Sequence, residues 1–158
     1  MDNRIARLAE LIDRYVERQG GRHISFVQEH LDEVADYAGM IAEKRGLDVE
    51  LARMSGMLHD IHTLTEGYVS GHAKHCVVIA RDLLSDAGIV DEDELETICT
   101  AIANHSKKRR VDDVYSEVLK DADTLSHNVP GNINYVADKE RARYTALCQE
   151  FDLREKRI

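Results

Sequence analysis

The sequence has few of the residues that build β-rich or disulfide-stabilised folds. Its 158 residues include one proline, two phenylalanines and no tryptophan. This composition argues against a β-sandwich and favours a helical domain with an aliphatic core. The three cysteines, Cys76, Cys99 and Cys148, are odd in number and widely spaced. We therefore expect buried free thiols in a reducing compartment rather than a disulfide framework.

The chain also lacks long apolar runs and a surplus of basic residues. No apolar stretch reaches the length of a membrane span, and the N-terminus has no apolar core of the kind found in signal peptides. The formal net charge is −9 at pH 7, whereas attraction to nucleic acid or to an anionic membrane normally needs a basic face. We therefore expect a cytoplasmic protein that has neither a nucleic-acid polymer nor a membrane as its partner. The oligomeric state stays open.

Apolar residues recur at intervals of three and four along almost the whole chain, and alternation at intervals of two is nearly absent. The sequence therefore predicts an all-α fold, a single-domain bundle of about six or seven helices over residues 1–158. Gly46 and Gly88 are expected to end helices, and Asp91 with Glu94 resembles a capping box that opens another.

The same periodicity locates several further features. Phe26 and His30 fall on or beside the inward face of the second helix. Residues 61–71 are rich in threonine, serine and glycine and predict a loop. A turn is expected at 128–131, followed by a last helix over residues 135–151.

The most informative motif is the doublet His59-Asp60, which closes an apolar helical run. Imidazole nitrogen and carboxylate oxygen together suit a divalent first-row metal. Adjacent side chains lie about 100° apart around a helix, so both can reach one ion only near a helix end or bend. Candidate partners occur in a fixed order along the chain: His30, His72, His105 and the pair Asp121 and Asp123.

The order of these residues resembles the HD-domain superfamily of metal-dependent phosphohydrolases over about residues 26–127. The segments that carry the resemblance are His30-Leu31-Asp32-Glu33-Val34-Ala35, Leu58-His59-Asp60-Ile61, Gly71-His72-Ala73, Ile102-Ala103-Asn104-His105-Ser106 and Leu119-Lys120-Asp121-Ala122-Asp123-Thr124-Leu125. The resemblance implies an all-helical fold and the hydrolysis of phosphoester or phosphoanhydride bonds, often in nucleotides.

The resemblance also implies a ligand set for one or two divalent ions of Mn, Co, Ni, Mg, Fe or Zn. One ion would be held by four side chains: His30, His59, Asp60 and Asp123. His72 and His105 would bind a second ion or hold the substrate phosphate. The family's last ligand usually follows an alanine, which points to Asp123, although the nearby Asp121 stays an alternative ligand.

The doublet's continuation departs from the family. Many members follow it with glycine and then lysine or a similar polar residue, whereas this chain has His62 and Thr63. His62 could replace that lysine as a hydrogen-bond donor, act as a general acid, or become an extra ligand. Asp60 could orient the attacking water as well as bind metal.

Four cations, Lys107-Lys108-Arg109-Arg110, directly follow His105. Such a run is usually a solvated loop, but here it adjoins the candidate metal site. We therefore hypothesise that Lys107, Lys108 and Arg109 bind the anionic part of a substrate. His127 falls one turn after Asp123 and could approach the same site.

Together these features predict a metal-dependent phosphohydrolase whose substrate is a nucleotide or a related small phosphate compound. Two alternatives stay open. A minority of the superfamily are di-iron oxygenases with the same order of ligands, and a non-catalytic regulatory domain would bind a nucleotide without turning it over. The ligands alone do not fix the reaction.

Overall fold

The computed structural model describes residues 3–129 and 135–154, and within them the chain forms eight α-helices and no strand. The helices are α1 Arg4–Arg18, α2 Ser25–Arg45, α3 Val49–Leu58, α4 Ile61–Glu66, α5 His72–Ala87, α6 Glu92–Asn104, α7 Val114–Asn128 and α8 Arg141–Glu150. The predicted all-α fold is confirmed.

The core forms where α2 packs against α3 and α7, and α6 closes it from the other side. Val34, Met54, Leu58 and Leu119 are fully buried there, and each such side chain contributes roughly 1.5–3 kcal/mol through the hydrophobic effect. Residues 118–126 of α7 are buried without interruption. The polar side chains of α7 therefore lie inside the molecule.

The helix boundaries follow the local signals. Gly46 and Gly88 adopt left-handed conformations directly after α2 and α5, with φ of 70° and 59°, a conformation that glycine adopts without steric cost. The Asp91–Glu94 capping box opens α6, with both of its hydrogen bonds present. These predicted starts and stops are confirmed.

The expected loop over residues 61–71 is wrong for its first part, because α4 occupies Ile61–Glu66. Ile61 and Leu64 lie one turn apart and are both fully buried, and that packing outweighs the weak helix propensity of the threonines between and beside them. This short helix accounts for the eighth helix, beyond the six or seven expected.

Three further expectations need correction or lie outside the described residues. The last helix begins at Arg141 rather than Tyr135, which is 62% exposed. Phe26 points outward and is 73% exposed, since it lies in the first turn of α2, where no other helix covers it. Of the expected turn at 128–131, Asn128 ends α7, while Pro130 and Gly131 lie outside the described residues.

The expectation that the three cysteines are buried free thiols is confirmed. Cys76, Cys99 and Cys148 are buried and unpaired, and burial raises the pKa of the Cys76 thiol to about 12. Among the described residues, none of the helices combines the length and apolar character that a membrane crossing requires.

We predict that Gly56→Ala destabilises the fold by about 1–3 kcal/mol through overpacking. A Cβ atom at Gly56 would lie 2.6 Å from the Cα atom of Ala35, so α3 would have to move away from the α2 backbone. Urea unfolding followed by circular dichroism measures the loss.

Gly39→Ala is the matched control, because a Cβ atom there meets no backbone: its nearest neighbours are the flexible side chain of Arg53, at 3.0 Å, and Val49 Cγ1, at an ordinary contact distance of 3.5 Å. It should be neutral or stabilising by up to about 1 kcal/mol, since alanine favours a helix. Equal free energies of unfolding for the two variants would contradict the close approach of α2 and α3.

Candidate metal centre

Six side chains from separate parts of the bundle converge on one site. His30 lies on α2, His59 and Asp60 at the junction of α3 and α4, His72 at the start of α5, His105 directly after α6, and Asp123 on α7. His59 and His30 approach to 3.2 Å between their Nε2 atoms, and His72 and His105 to 3.4 Å between theirs. The structure therefore brings the ordered histidine and aspartate series together.

Asp60 lies at the centre of this cluster. Its Oδ2 atom is 3.6 Å from His59 Nε2 and 3.9 Å from His30 Nε2. Its Oδ1 atom is 2.8 Å from His72 Nε2 and 3.4 Å from His105 Nε2. One carboxylate thus faces two separate histidine pairs, one with each oxygen.

The break between α3 and α4 makes this arrangement possible. Asp60 has φ −121° and ψ 27°, outside the helical range, between the end of α3 and the start of α4. Adjacent residues in a continuous helix would diverge by about 100°. At the break, His59 and Asp60 instead point into one site. This agrees with the expectation from the sequence that the doublet lies at a helix end or bend.

Asp123, rather than Asp121, reaches the cluster. Asp123 Oδ1 lies 3.1 Å from His30 Nε2 and 3.7 Å from His59 Nε2. Asp121 uses its two oxygens in ion pairs of 2.7 Å with Arg45 and Arg143. Asp121 therefore ties α2 and α8 to α7 and is not brought to the histidines.

The ring hydrogens of three histidines are held in place by neighbouring acceptors. His59 Nδ1 donates to the Gly56 carbonyl and His105 Nδ1 to the Ile102 carbonyl, each at 2.7 Å. Both carbonyls belong to the last turn of a helix, and the Ile102 carbonyl also accepts the backbone N–H of His105 at 3.4 Å. Because a carbonyl only accepts, the lone pair of each neutral ring lies on Nε2, the atom that faces the cluster.

A longer chain of hydrogen bonds does the same for His30. The Ser126 hydroxyl donates to Glu33 at 2.8 Å and lies 2.9 Å from His30 Nδ1. Because the Ser126 hydroxyl donates its hydrogen to Glu33, its oxygen accepts a hydrogen bond from His30 Nδ1. The Nε2 lone pair of His30 then faces Asp123 and His59.

The donor set fits a divalent metal ion. Oδ1 of Asp60 and Oδ1 of Asp123 are buried and accept no hydrogen bond of good geometry, although buried polar atoms are nearly always paired. Four groups of three or more side chains here have ligand atoms within 4.8 Å of one another. Imidazole nitrogen with carboxylate oxygen is the donor combination of catalytic zinc, manganese and iron sites.

The electrostatics keep both carboxylates ionised. Burial alone would raise the pKa of Asp60, but the positive charge of a protonated His59 ring and hydrogen bonds donated by His105 and His72 when they carry a proton on Nε2 outweigh it and hold the pKa well below its usual range. Burial likewise opposes ionisation of Asp123, whose pKa is lowered well below the ordinary value by Lys108 and by His30 and His59. Two anionic carboxylates in a buried site favour a cation between them.

The cationic run contributes one residue to the cluster. Lys108 is buried, and its ammonium group donates to Asp123 Oδ2 and, at 2.7 Å, to the His105 carbonyl. Lys107 instead donates to Asn104, and the exposed Arg109 lies 3.4 Å from Asp138. The structure does not bring Lys107 or Arg109 to the metal cluster.

His62 is not brought into the cluster either. Its ring stacks on the exposed ring of His75, with 4.6 Å between centroids. Since His62 follows Asp60 by two residues within α4, its side chain leaves the helix in another direction. The structure gives no support to a catalytic role for His62.

An open cavity of about 440 Å³ leads to the cluster. Its rim carries Phe26 and Tyr68, which are 73% and 76% exposed, and Lys139. Sequence reasoning missed Phe26 and Lys139 as site residues, because Phe26 fits the apolar stripe of α2 and Lys139 has no local signal. Glu33 was missed as well: it is exposed yet accepts a hydrogen bond from Ser126, and its spacing of three from His30 is the signal that could have indicated it.

The chain belongs to the HD domain family, whose match covers residues 27–128. The resemblance to the HD-domain superfamily of metal-dependent phosphohydrolases is thereby confirmed. The matched range contains all six side chains of the cluster described above.

Several curated relatives are ribonucleases. Ribonuclease Y of Thermus thermophilus is 34% identical over 106 residues, which are 66% of this chain and 17% of that protein. Ribonuclease Y of Desulfotalea psychrophila is 37% identical over 106 residues, 66% of this chain and 19% of that protein. Ribonuclease Y of Rhodopirellula baltica is 35% identical over 151 residues, 90% of this chain and 27% of that protein. The chain therefore spans only 17–27% of the length of these relatives. No solved structure matches it significantly.

The expectation that a nucleic-acid polymer is excluded as a partner is wrong, because these relatives are named as ribonucleases. Net charge was a poor guide because it sums over the whole surface, whereas a phosphate group is bound locally. The acidic total of this chain coexists with two lysines, Lys108 and Lys139, that line the cavity.

We predict that Asp123→Asn and Asp121→Asn have different effects, which separates the roles of these two aspartates of α7. Asp123→Asn should lose bound Mn²⁺, because it removes the only α7 carboxylate within reach of His30. Asp121→Asn should keep the metal but lower the free energy of unfolding by up to about 3 kcal/mol, because the partly buried Arg45 and Arg143 each lose an ion-pair partner. Elemental analysis after desalting and urea unfolding measure both effects. Equal metal loss in the two variants would contradict the assignment.

Proposed function

We propose that this protein is a metal-dependent phosphodiesterase that cleaves single-stranded RNA. The observation that carries the proposal is Asp60, which presents one oxygen to His30 and His59 and the other to His72 and His105. A carboxylate between two histidine pairs suits two neighbouring divalent ions, the arrangement of many phosphoryl-transfer sites.

The ligand assignment follows from the distances. One ion would be held by the first four side chains of the series: His30, His59, Asp60 and Asp123. The other would be held by His72 and His105 with the second oxygen of Asp60. Divalent ions at such a site lower the pKa of bound water and offset the negative charge of the phosphate.

The chain's own residues prepare this site. The carbonyls of Gly56 and Ile102 keep the Nε2 atoms of His59 and His105 free to bind metal. Lys108 fixes one oxygen of Asp123, so that the other stays turned toward His30. Asp60, ionised at neutral pH, can also accept a hydrogen bond from the attacking water and so orient it.

The rim of the cavity supports a nucleotide chain as substrate. Phe26 and Tyr68 are large, exposed aromatic residues beside the metal cluster. Bases of single-stranded nucleic acid stack on such rings without sequence preference. Lys139 adds a positive charge at the same rim. The relatives named Ribonuclease Y support RNA as the polymer.

A small nucleotide is the second candidate substrate, and the size of the cavity favours it. About 440 Å³ lies within the range of roughly 300–1,000 Å³ that is typical of small-molecule pockets. The two candidate substrates, RNA and a small nucleotide, are distinguished by whether the rate of hydrolysis depends on the length of the strand.

We predict that the protein with Mn²⁺ shortens a labelled single-stranded RNA oligonucleotide. His59→Ala should lower the cleavage rate at least about a hundredfold, since mutation of even the residues that support metal ligands lowers activity by up to about a hundredfold. Chelation should abolish the activity and added Mn²⁺ should restore it. His75→Ala is the control, because His75 is exposed and lies outside the cluster.

Other outcomes of this experiment separate the alternatives. Cleavage of dinucleotides but not of longer RNA would favour the small-nucleotide candidate. Two irons per chain with oxygen consumption would identify an oxygenase instead. Nucleotide binding without turnover in any metal would identify a regulatory domain, and full activity of His59→Ala would refute the metal centre itself.

We predict that Phe26→Ala and Tyr68→Ala each raise KM for RNA about tenfold, since stacking of one base on an aromatic ring contributes roughly 1–3 kcal/mol. Hydrolysis of a small aryl phosphodiester, which has no base to stack, should keep its kcat. Tyr135→Ala is the matched control: Tyr135 is also exposed but does not line the cavity. An unchanged KM in both variants would exclude stacking on this rim.

A further inference from the structure

A fifth histidine, His127, is held through its Nδ1 atom in the same manner as His30, His59 and His105. It lies on α7 one turn after Asp123 and lines the cavity. Its Nδ1 atom is 2.8 Å from Glu140 Oε1. Because an ionised carboxylate only accepts, Nδ1 donates and the lone pair of the neutral ring lies on Nε2. A carboxylate behind an imidazole is the usual support of a metal-binding histidine.

Glu140 is placed to provide that support. It precedes α8 and is 2% exposed. Its second oxygen accepts from Asn128 Nδ2 at 3.1 Å. Both carboxylate oxygens are thus engaged by residues at the end of α7, which fixes the direction in which the His127 ring points.

The free nitrogen of His127 is directed at the cluster. His127 Nε2 lies 3.4 Å from Asp123 Oδ1, the buried oxygen that accepts no hydrogen bond of good geometry. The His127 ring is parallel to that of His30, with 2° between planes and 5.2 Å between centroids. The ligand atoms of His30, Asp123 and His127 all lie within 4.8 Å of one another.

We propose that His127 is a further ligand of the metal ion that His30 and Asp123 hold, and that Glu140 is its positioning residue. The inference rests on the metal centre proposed above and adds a ligand from the solvent-facing side of α7. It also links the centre to the start of α8 through Glu140.

Metal binding by the purified apoprotein tests the inference without reference to activity. Co²⁺ is titrated into the wild type and four variants, and the visible absorption band and calorimetry report coordination and affinity. His127→Ala should weaken the binding of one Co²⁺ about 10–100-fold and alter the band, and Glu140→Gln should weaken it less. His75→Ala, an exposed histidine outside the cluster, should match the wild type.

His59→Ala separates failure of the inference from failure of the centre. If His127→Ala binds Co²⁺ with the affinity and spectrum of the wild type while His59→Ala does not, His127 is only an ion-pair partner of Asp123 and Glu140, and the inference is overturned. If His59→Ala also binds like the wild type, the metal centre fails as well. The His127 side chain is 45% exposed, so its removal leaves the fold intact, and thermal unfolding verifies this.

Discussion

The structure around the site depends on one constraint, the burial of the Asp60 carboxylate among imidazoles. A buried carboxylate is strongly destabilising unless positive or hydrogen-bond-donating groups surround it. Here each oxygen faces a different pair of histidines, so four helices must end or begin at this point. The helix is interrupted between α3 and α4 at Asp60 itself, and this interruption directs the adjacent side chains of His59 and Asp60 into one site. A cation between the two carboxylates would relieve the same constraint.

Helix ends fix the orientation of two of the histidine rings at this site. His59 and His105 each follow the last residue of a helix and each donate to the carbonyl three residues earlier. One local motif, formed twice, thus uses a carbonyl of the last helical turn to orient the ring that follows the helix. Two of the remaining candidate ligands have longer-range support, which Lys108 gives to Asp123, and Ser126 with Glu33 gives to His30. The fold therefore orients lone pairs as well as bringing residues together.

The fold and the family were predictable because their signals are local and ordered. Helical periodicity, the glycine stops and the Asp91–Glu94 capping box depend only on neighbouring residues. The exceptions have tertiary causes: α4 forms because Ile61 and Leu64 are buried by other helices. The overall charge misled because it averages over a surface, while the site concentrates charge at a few atoms. The ribonuclease relatives corrected that expectation.

By itself the sequence determined the helical architecture, the types of ligand and their order, since these need only spacing and side-chain chemistry. Only the tertiary structure decided between Asp121 and Asp123, and it singled out Lys108 among the four cations. The two aspartates lie two residues apart, about 200° around α7, and that helix is buried on every side in this region. Burial pattern therefore cannot tell which carboxylate faces the histidines. The rotation of α7 about its own axis, relative to α2 and α8, decides which of the two carboxylates faces the histidines.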